Sequence, residues 1–233
     1  MHKLYLSLVF ILLLQYNSPA QNIYNKELLD TLHEIAATNT ISVHFAKLYS
    51  QAIQETNRYA IGKSENVRQF IFGFESSFGH IFCEAHRNYI AQKNIVLSWQ
   101  DYYRCDTLNE IQYQFIGMNA HINGDMHKGL IEKYSYDTLK KYKRELLSFQ
   151  KPLNIFFDSV YASTFQYKGL KRIHHLSLGL DKLVGRKMIL HWRKRQINMA
   201  LLFYSDPERY YRRLKHVQKI IHRWDRRAIK YFK

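Results

Sequence analysis

Apolar residues recur every three to four positions along nearly the whole chain, and no stretch shows sustained alternation of apolar and polar residues. The first period is that of an α-helix with one buried face, whereas alternation would indicate a β-strand. The longest example covers residues 64 to about 91 and carries Val67, Phe70, Ile71, Phe74, Phe78, Ile81, Phe82 and Ala85 on one side. The pattern predicts an all-α protein, a single-domain bundle of roughly seven to nine helices.

Several helix starts can be read from local signals. Thr107 and Glu110 have the spacing of a capping box, in which two side chains bond reciprocally to backbone amides. Pro152 lacks an amide donor and therefore predicts a helix start or a kink. Asp206 followed by Pro207 predicts the start of the final helix, since proline is favoured at the first helical position.

Residues 1–20 have the layout of a secretory signal peptide. Lys3 precedes an apolar run over residues 4–14, and small residues precede Gln21. The run is too short for a stable membrane anchor. The alternative to a signal peptide is a buried N-terminal helix of the domain. We therefore expect an exported protein, periplasmic or extracellular. Its mature chain, residues 21–233, is expected to form a single helical domain without a transmembrane segment.

Cys83 and Cys105 are the only cysteines. An oxidising compartment would allow them to form a disulfide, whereas two buried free thiols would give the same sequence. Both alternatives remain open at this point.

The charge of the chain is concentrated at one end. Residues 21–165 hold 15 Lys and Arg against 15 Asp and Glu, whereas residues 166–233 hold 19 against 4. This strongly basic C-terminal third favours an anionic partner, such as anionic lipid, envelope polysaccharide or a phosphoester, although a solvated basic face is the simpler alternative. Expected export and the lack of a nucleic-acid-binding motif argue against a specific nucleic-acid partner.

Residues 117–125 hold the densest group of polar side chains in an otherwise apolar helical pattern. His121 and Asp125 lie four residues apart, which on an α-helix is one turn and places the imidazole and the carboxylate on one face. Asn119 and Asn123 have the same spacing at the opposite margin of the apolar stripe. The pattern predicts a part-buried site in which His121 and Asp125 are catalytic or bind a metal. A structural hydrogen-bond network is the alternative.

A second pair, His80 and Glu84, also has four-residue spacing on the long helix. Two helices that each offer a histidine and a carboxylate are a common basis for metal sites in helical bundles. His121, Asp125, His80 and Glu84 are therefore the candidate ligands of a divalent ion such as zinc. An ordinary surface ladder of His80 and Glu84 is the alternative.

The segments FGHIFCEAH, SWQDYY, FIGMNAHINGDM and HWRKRQINMALL resemble the bacterial domain-of-unknown-function family 5995. The resemblance covers most of the chain and implies a shared fold and site, but no reaction. The family signature falls on Asn119, Ala120, His121, Ile122, Asn123 and Asp125, with Met126 in place of the usual Leu. The resemblance also matches Arg193 to the family's later arginine. We therefore expect Arg193 to form a polar network with Asn119 and Asn123.

The segment from His121 to Asp125 is also similar to the H-x-x-G-D segment of the exported zinc-dependent phospholipase C and nuclease group. In that group the histidine and the aspartate ligate zinc ions that hydrolyse phosphoesters. This chain departs from the group because it lacks the following proline and begins its mature part with Gln21 rather than tryptophan. The similarity is local.

Two functional hypotheses follow from these residues. In one, the protein binds anionic envelope material or lipid. In the other, it is a divalent-metal-dependent hydrolase of phosphoesters. The first is favoured because no G-x-S-x-G, C-x-x-C or glycine-rich phosphate loop occurs, although enzymatic activity stays open.

Overall fold

The structure is a computed structural model of the chain and describes residues 25–163, 171, 175 and 180–232. Nearly all of these residues are helical, and no strand occurs among them, which confirms the all-α prediction. The predicted signal peptide lies outside the described residues, and so does part of the basic segment 166–233. No helix in the described ranges is long and apolar enough to cross a membrane.

The described residues form ten α-helices and two short segments of other helix types. A 3₁₀ turn covers Leu97–Trp99, and a π-helix covers Asn119–Asp125. The α-helices are α1 (Lys26–Ala36), α2 (Ser42–Ile61), α3 (Glu65–Ile90), α4 (Gln100–Arg104), α5 (Glu110–Met118), α6 (Met126–Lys133), α7 (Tyr136–Ser148), α8 (Gln150–Ser163), α9 (Leu180–Ser205) and α10 (Pro207–Tyr231).

The helix from residue 110 to residue 133 is continuous, because α5, the π-helix and α6 follow one another without a break. Since α4 is only five residues long, the described part of the chain holds eight long helices, within the predicted range. The continuous helix lies centrally and contacts α2, α3, α9 and α10.

The helix starts agree with the sequence in two of three places. Helix α10 begins at Pro207, and the Asp206 side chain accepts a hydrogen bond from the Arg209 amide at 3.0 Å. Pro152 lies in the first turn of α8. The capping box predicted at Thr107 is wrong, because Asn109 and Gln112 form the reciprocal bonds two residues later.

Two apolar clusters form most of the core. The larger joins α1, α2, α3, the segment 97–104 and α5, and aromatic rings such as Phe45, Phe82 and Trp99 fill it. The second joins α3, α6, α7 and α9. Cys83 is buried and Cys105 is half-buried. Both are free thiols in the structure and do not form a disulfide.

Gly117 allows α5 to pack directly against α2. A Cβ atom at this position would lie 2.4 Å from a ring carbon of Phe45, which is itself buried among other rings. The absence of a side chain at Gly117 therefore sets the distance between the central helix and the helix that carries Phe45.

Gly117→Ala should destabilise the fold. Overpacking typically costs about 1–3 kcal/mol. Alanine regains only about 1 kcal/mol of helix propensity. We expect a net loss in the unfolding free energy of up to about 2 kcal/mol, measured by urea denaturation.

Gly62→Ala is the matched control, because a Cβ there would meet only the Tyr59 carbonyl oxygen at 3.9 Å and φ is −78°. Equal destabilisation by both substitutions would show that close packing at Gly117 is not the cause.

Candidate functional site

The signature segment Asn119–Asp125 is a π-helix and not the α-helix that the sequence predicted. In a π-helix the backbone amide bonds to the carbonyl five residues back, and the Met126 amide indeed bonds to the His121 carbonyl. Asn119 and Asn123, four residues apart in this segment, are hydrogen-bonded to each other. His121 and Asp125 have the same spacing but make no hydrogen bond to each other, and their side chains contact different partners.

Asp125 is completely buried, and its carboxylate is bound on both oxygens. Oδ1 accepts hydrogen bonds from Ser98 Oγ and Lys128 Nζ, each at 2.7 Å. Oδ2 accepts one from Trp99 Nε1 at 2.6 Å. Asp125 therefore joins the π-helix to the turn at Leu97–Trp99, and these three donors already occupy the carboxylate that was predicted to be catalytic or metal-binding.

Asn119 and Asn123 form a buried chain of hydrogen bonds. Asn123 Nδ2 donates to Asn119 Oδ1 at 2.8 Å, and Asn119 Nδ2 donates to Asp225 Oδ1 at 2.7 Å. The arginine of this network is Arg195, which donates to Asn123 Oδ1. Arg193, which the resemblance placed with the two asparagines, lies two residues earlier on α9 and faces elsewhere.

The His121 ring is buried among aromatic side chains. It stacks on Phe78, with centroids 3.5 Å apart and planes inclined by 7°, and its centroid lies 4.4 Å from that of Tyr49. Only 2% of the residue is exposed, so the predicted part burial is wrong. Burial lowers the pKa of His121 well below its usual value, so the ring is neutral. Neither ring nitrogen has a hydrogen-bond partner in the protein.

A cavity of about 80 Å³ reaches His121. Its buried walls combine polar side chains with apolar ones such as Phe45, Phe78 and Ile189, and its less buried walls are apolar. The polar residues are Tyr49, Thr56, Glu75, His121, Gln150 and Arg193, and the half-buried apolar residues include Ile122, Leu153, Phe156, Phe157 and Val160. The cavity is partly open on the side of α8.

Glu75 and Arg193 are charged groups within this cavity. Burial raises the pKa of Glu75 to about 7, although the Arg193 charge opposes that shift, and Tyr49 Oη donates to Glu75 Oε2 at 3.5 Å. Burial also lowers the pKa of Arg193 to about 10, so the guanidinium stays charged at neutral pH. Arg193 Nη2 donates to the Leu146 carbonyl at 2.9 Å, while the guanidinium lies over the Phe149 ring.

Several residues that line the cavity carry buried polar atoms with no hydrogen-bond partner in the protein. These atoms are both ring nitrogens of His121, Nε of Arg193 and Oε1 of Gln150. A buried polar group without a partner typically costs about 1–3 kcal/mol, so most proteins satisfy such groups. Their concentration around one cavity marks it as the candidate site.

Sequence reasoning found His121 and Arg193 but missed Glu75 and Tyr49. One signal for Glu75 was present, since it lies within the apolar stripe of α3, next to Phe74 and three residues before Phe78. An acidic residue on a buried helix face requires a specific environment. Tyr49 carried no such signal.

His80 and Glu84 are exposed on α3, away from the cavity at His121. His80 lines a surface cleft of about 1020 Å³ between α1, α3 and α6, and none of the buried unpartnered groups of the described residues lines that cleft. The structure does not bring the four predicted metal ligands together. Among the residues it describes, Asp101, His222 and Asp225 form the one group of three metal-ligating side chains.

The fold and the site define an all-helical bundle with an internal, partly polar cavity. The chain belongs to the Family of unknown function (DUF5995), whose model matches residues 26–229. The resemblance seen in residues 117–125 is thereby confirmed. No curated protein and no solved structure gives a significant match to the chain.

Asp125→Asn should destabilise the protein although it preserves the shape of the side chain. Its amide group would face a hydrogen-bond donor, either Trp99 Nε1 or Ser98 Oγ, and leave a buried donor unpaired. The expected loss of unfolding free energy is about 1–3 kcal/mol, measured by chemical denaturation.

Asp30→Asn is the control, because Asp30 forms only an exposed ion pair with Lys26 and its loss should have a much smaller effect. Unchanged stability of Asp125→Asn would contradict the anchoring role of Asp125.

Proposed function

We propose that the protein binds a small amphipathic molecule, a carboxylate with an apolar tail, in the cavity at His121. The observation that carries this proposal is the set of buried, unpartnered polar atoms around the cavity. Pockets that combine apolar walls with a few convergent polar groups are the usual form of small-molecule sites.

The donors at the buried end suit an anionic head group. Arg193 offers a free Nε–H and a full positive charge, and neutral His121 offers one ring N–H. Hydrogen bonds from a charged donor to a carboxylate are about twice as strong as those between neutral groups. Glu75 opposes the head group only when ionised, and its pKa near 7 leaves it largely protonated below neutral pH.

The apolar tail would lie toward the open side of the cavity. Leu153, Phe156 and Phe157 of α8 line that side and are half-buried. Each Å² of apolar surface removed from water there contributes roughly 25 cal/mol. The tail would therefore supply the apolar part of the affinity, and the head group its specificity.

The remaining features of the sequence fit an anionic, lipid-like ligand met outside the cytoplasm. The signal-like residues 1–20 support export. The exposed basic side chains of α10 would attract anions over several ångströms. They are Arg212, Arg213, Lys215, Lys219, Arg223, Arg226 and Arg227.

Binding is favoured over hydrolysis because the described lining of the cavity has no serine or cysteine nucleophile. The Thr56 hydroxyl donates to the Ala52 carbonyl at 2.9 Å. The predicted hydrolytic set of His121, Asp125, His80 and Glu84 is spread over the cavity, a buried anchor and the protein surface.

Calorimetric titration with octanoate and with octanol tests the proposal. Wild type should bind octanoate more tightly than octanol, because only octanoate carries the charge that Arg193 recognises. Arg193→Met should weaken octanoate binding by about 10- to 100-fold and change octanol binding little.

Lys194→Met is the matched control, since it removes one positive charge from the next, exposed position of the same helix. If thermal melting shows both variants folded and both lose octanoate affinity equally, the loss is due to long-range charge and not to direct contact with Arg193. Wild type that binds neither compound would overturn the proposal.

Octanoate affinity should fall as pH rises. Glu75, with a pKa of about 7, is protonated below that pH and ionised above it, where it repels the bound carboxylate. The dissociation constant should increase by up to about tenfold per pH unit above 7. Glu75→Gln imitates the protonated form and should bind octanoate with little pH dependence. A wild-type affinity that is constant from pH 6 to 9 would contradict this role of Glu75.

A further inference from the structure

A second group of polar side chains lies between α4 and α10. Asp101 belongs to α4, and His222 and Asp225 lie three residues apart on α10, so they share a face. One ligand atom from each of the three lies within 4.8 Å of the others. His222 Nδ1 and Asp101 Oδ2 are directly hydrogen-bonded.

Asp225 is completely buried, yet one of its oxygens has no partner. Oδ1 accepts a hydrogen bond from Asn119 Nδ2 at 2.7 Å, whereas Oδ2 accepts none in the protein. A buried carboxylate is stable only when it is neutralised or fully bonded. Burial, together with the neighbouring Asp101 charge, raises the pKa of Asp225 well above its usual range. The unpartnered Oδ2 is therefore a buried acceptor that a bound cation would satisfy.

We propose that Asp101, His222 and Asp225 are the ligands of one divalent metal ion, with zinc as the ion that suits them best. Imidazole nitrogen and carboxylate oxygen are both ordinary zinc ligands. Two carboxylates and a neutral imidazole carry a charge of −2, which balances the ion. An ion bound there would also give the unpartnered oxygen of Asp225 a partner.

The surroundings of the three ligands suit an accessible metal site. The side chains of His222 and Asp101 are 33% and 21% exposed, so an ion and its water ligands can reach them. Asn119 holds Asp225 from behind, which is the role of the outer hydrogen bonds that orient metal ligands. Cys105 lies near enough for both carboxylates to raise its pKa, but it is not among the grouped ligand atoms.

This site is separate from the cavity of the proposed function. The π-helix presents Asn119 to α10 on one side, whereas His121 packs on rings of α2 and α3 on the other. Metal binding at Asp225 therefore does not depend on any ligand at His121, and either proposal can fail alone.

The test is equilibrium dialysis of the chelator-treated full chain against micromolar zinc chloride, followed by elemental analysis. Wild type should retain one zinc ion per chain. Asp225→Asn and His222→Gln should lose that stoichiometric zinc, and zinc should raise the melting temperature of wild type but not of these two variants. His80→Ala is the control, since it removes an exposed histidine from outside the site.

The Asp225→Asn variant also distinguishes the loss of a zinc ligand from a loss of zinc through misfolding. Asparagine keeps the oxygen that accepts from Asn119 and removes a buried ionisable group, so the metal-free variant should melt no lower than metal-free wild type. The proposal is overturned if wild type takes up no stoichiometric zinc, or if folded Asp225→Asn retains it. An equal loss of zinc in His80→Ala would also overturn it, because the zinc would then be bound at the surface in general.

Discussion

The buried carboxylate of Asp125 is the interaction on which the central helix depends. It accepts hydrogen bonds from Ser98, Trp99 and Lys128, and so fixes the π-helix against the turn that precedes α4. Gly124 makes this approach possible, because a Cβ there would lie 2.8 Å from the Ser98 side chain. This attachment holds one side of the π-helix in place while its other side chains bind α9 and α10.

The π-helix gives one short segment two different environments. His121 faces aromatic rings and the cavity that holds Glu75 and Arg193, whereas Asn119 faces α10 and Asp225. Within the segment Asn119 and Asn123 bond to each other, whereas His121 and Asp125, with the same spacing, have different partners. The carboxylate is bound by donors of other residues and the imidazole packs on aromatic rings, so the segment resembles a metal motif without bringing its two ligands together.

The fold could be predicted from the sequence because helix periodicity and capping are local. Apolar spacing predicted the bounds of α3, which begins directly after Ser64, to within a few residues, and Pro207 predicted the start of α10. The site could be located but not assembled. His121 stood out from its own segment, but its neighbours Tyr49, Glu75 and Arg193 come from three other helices, and nothing in their spacing encodes that contact. The π-turn was missed for a related reason, since tertiary bonds to Asp125 stabilise it.

A π-helix is equivalent to one residue inserted into an α-helix. If the same residues formed an ordinary α-helix, the wider turn would no longer absorb the extra residue, and α6 would be rotated by about 100°. Leu130 would leave the core, and Gly129 would no longer face the backbone of Phe78. The register of α6 against the rest of the bundle is thus tied to the wider turn of this seven-residue segment.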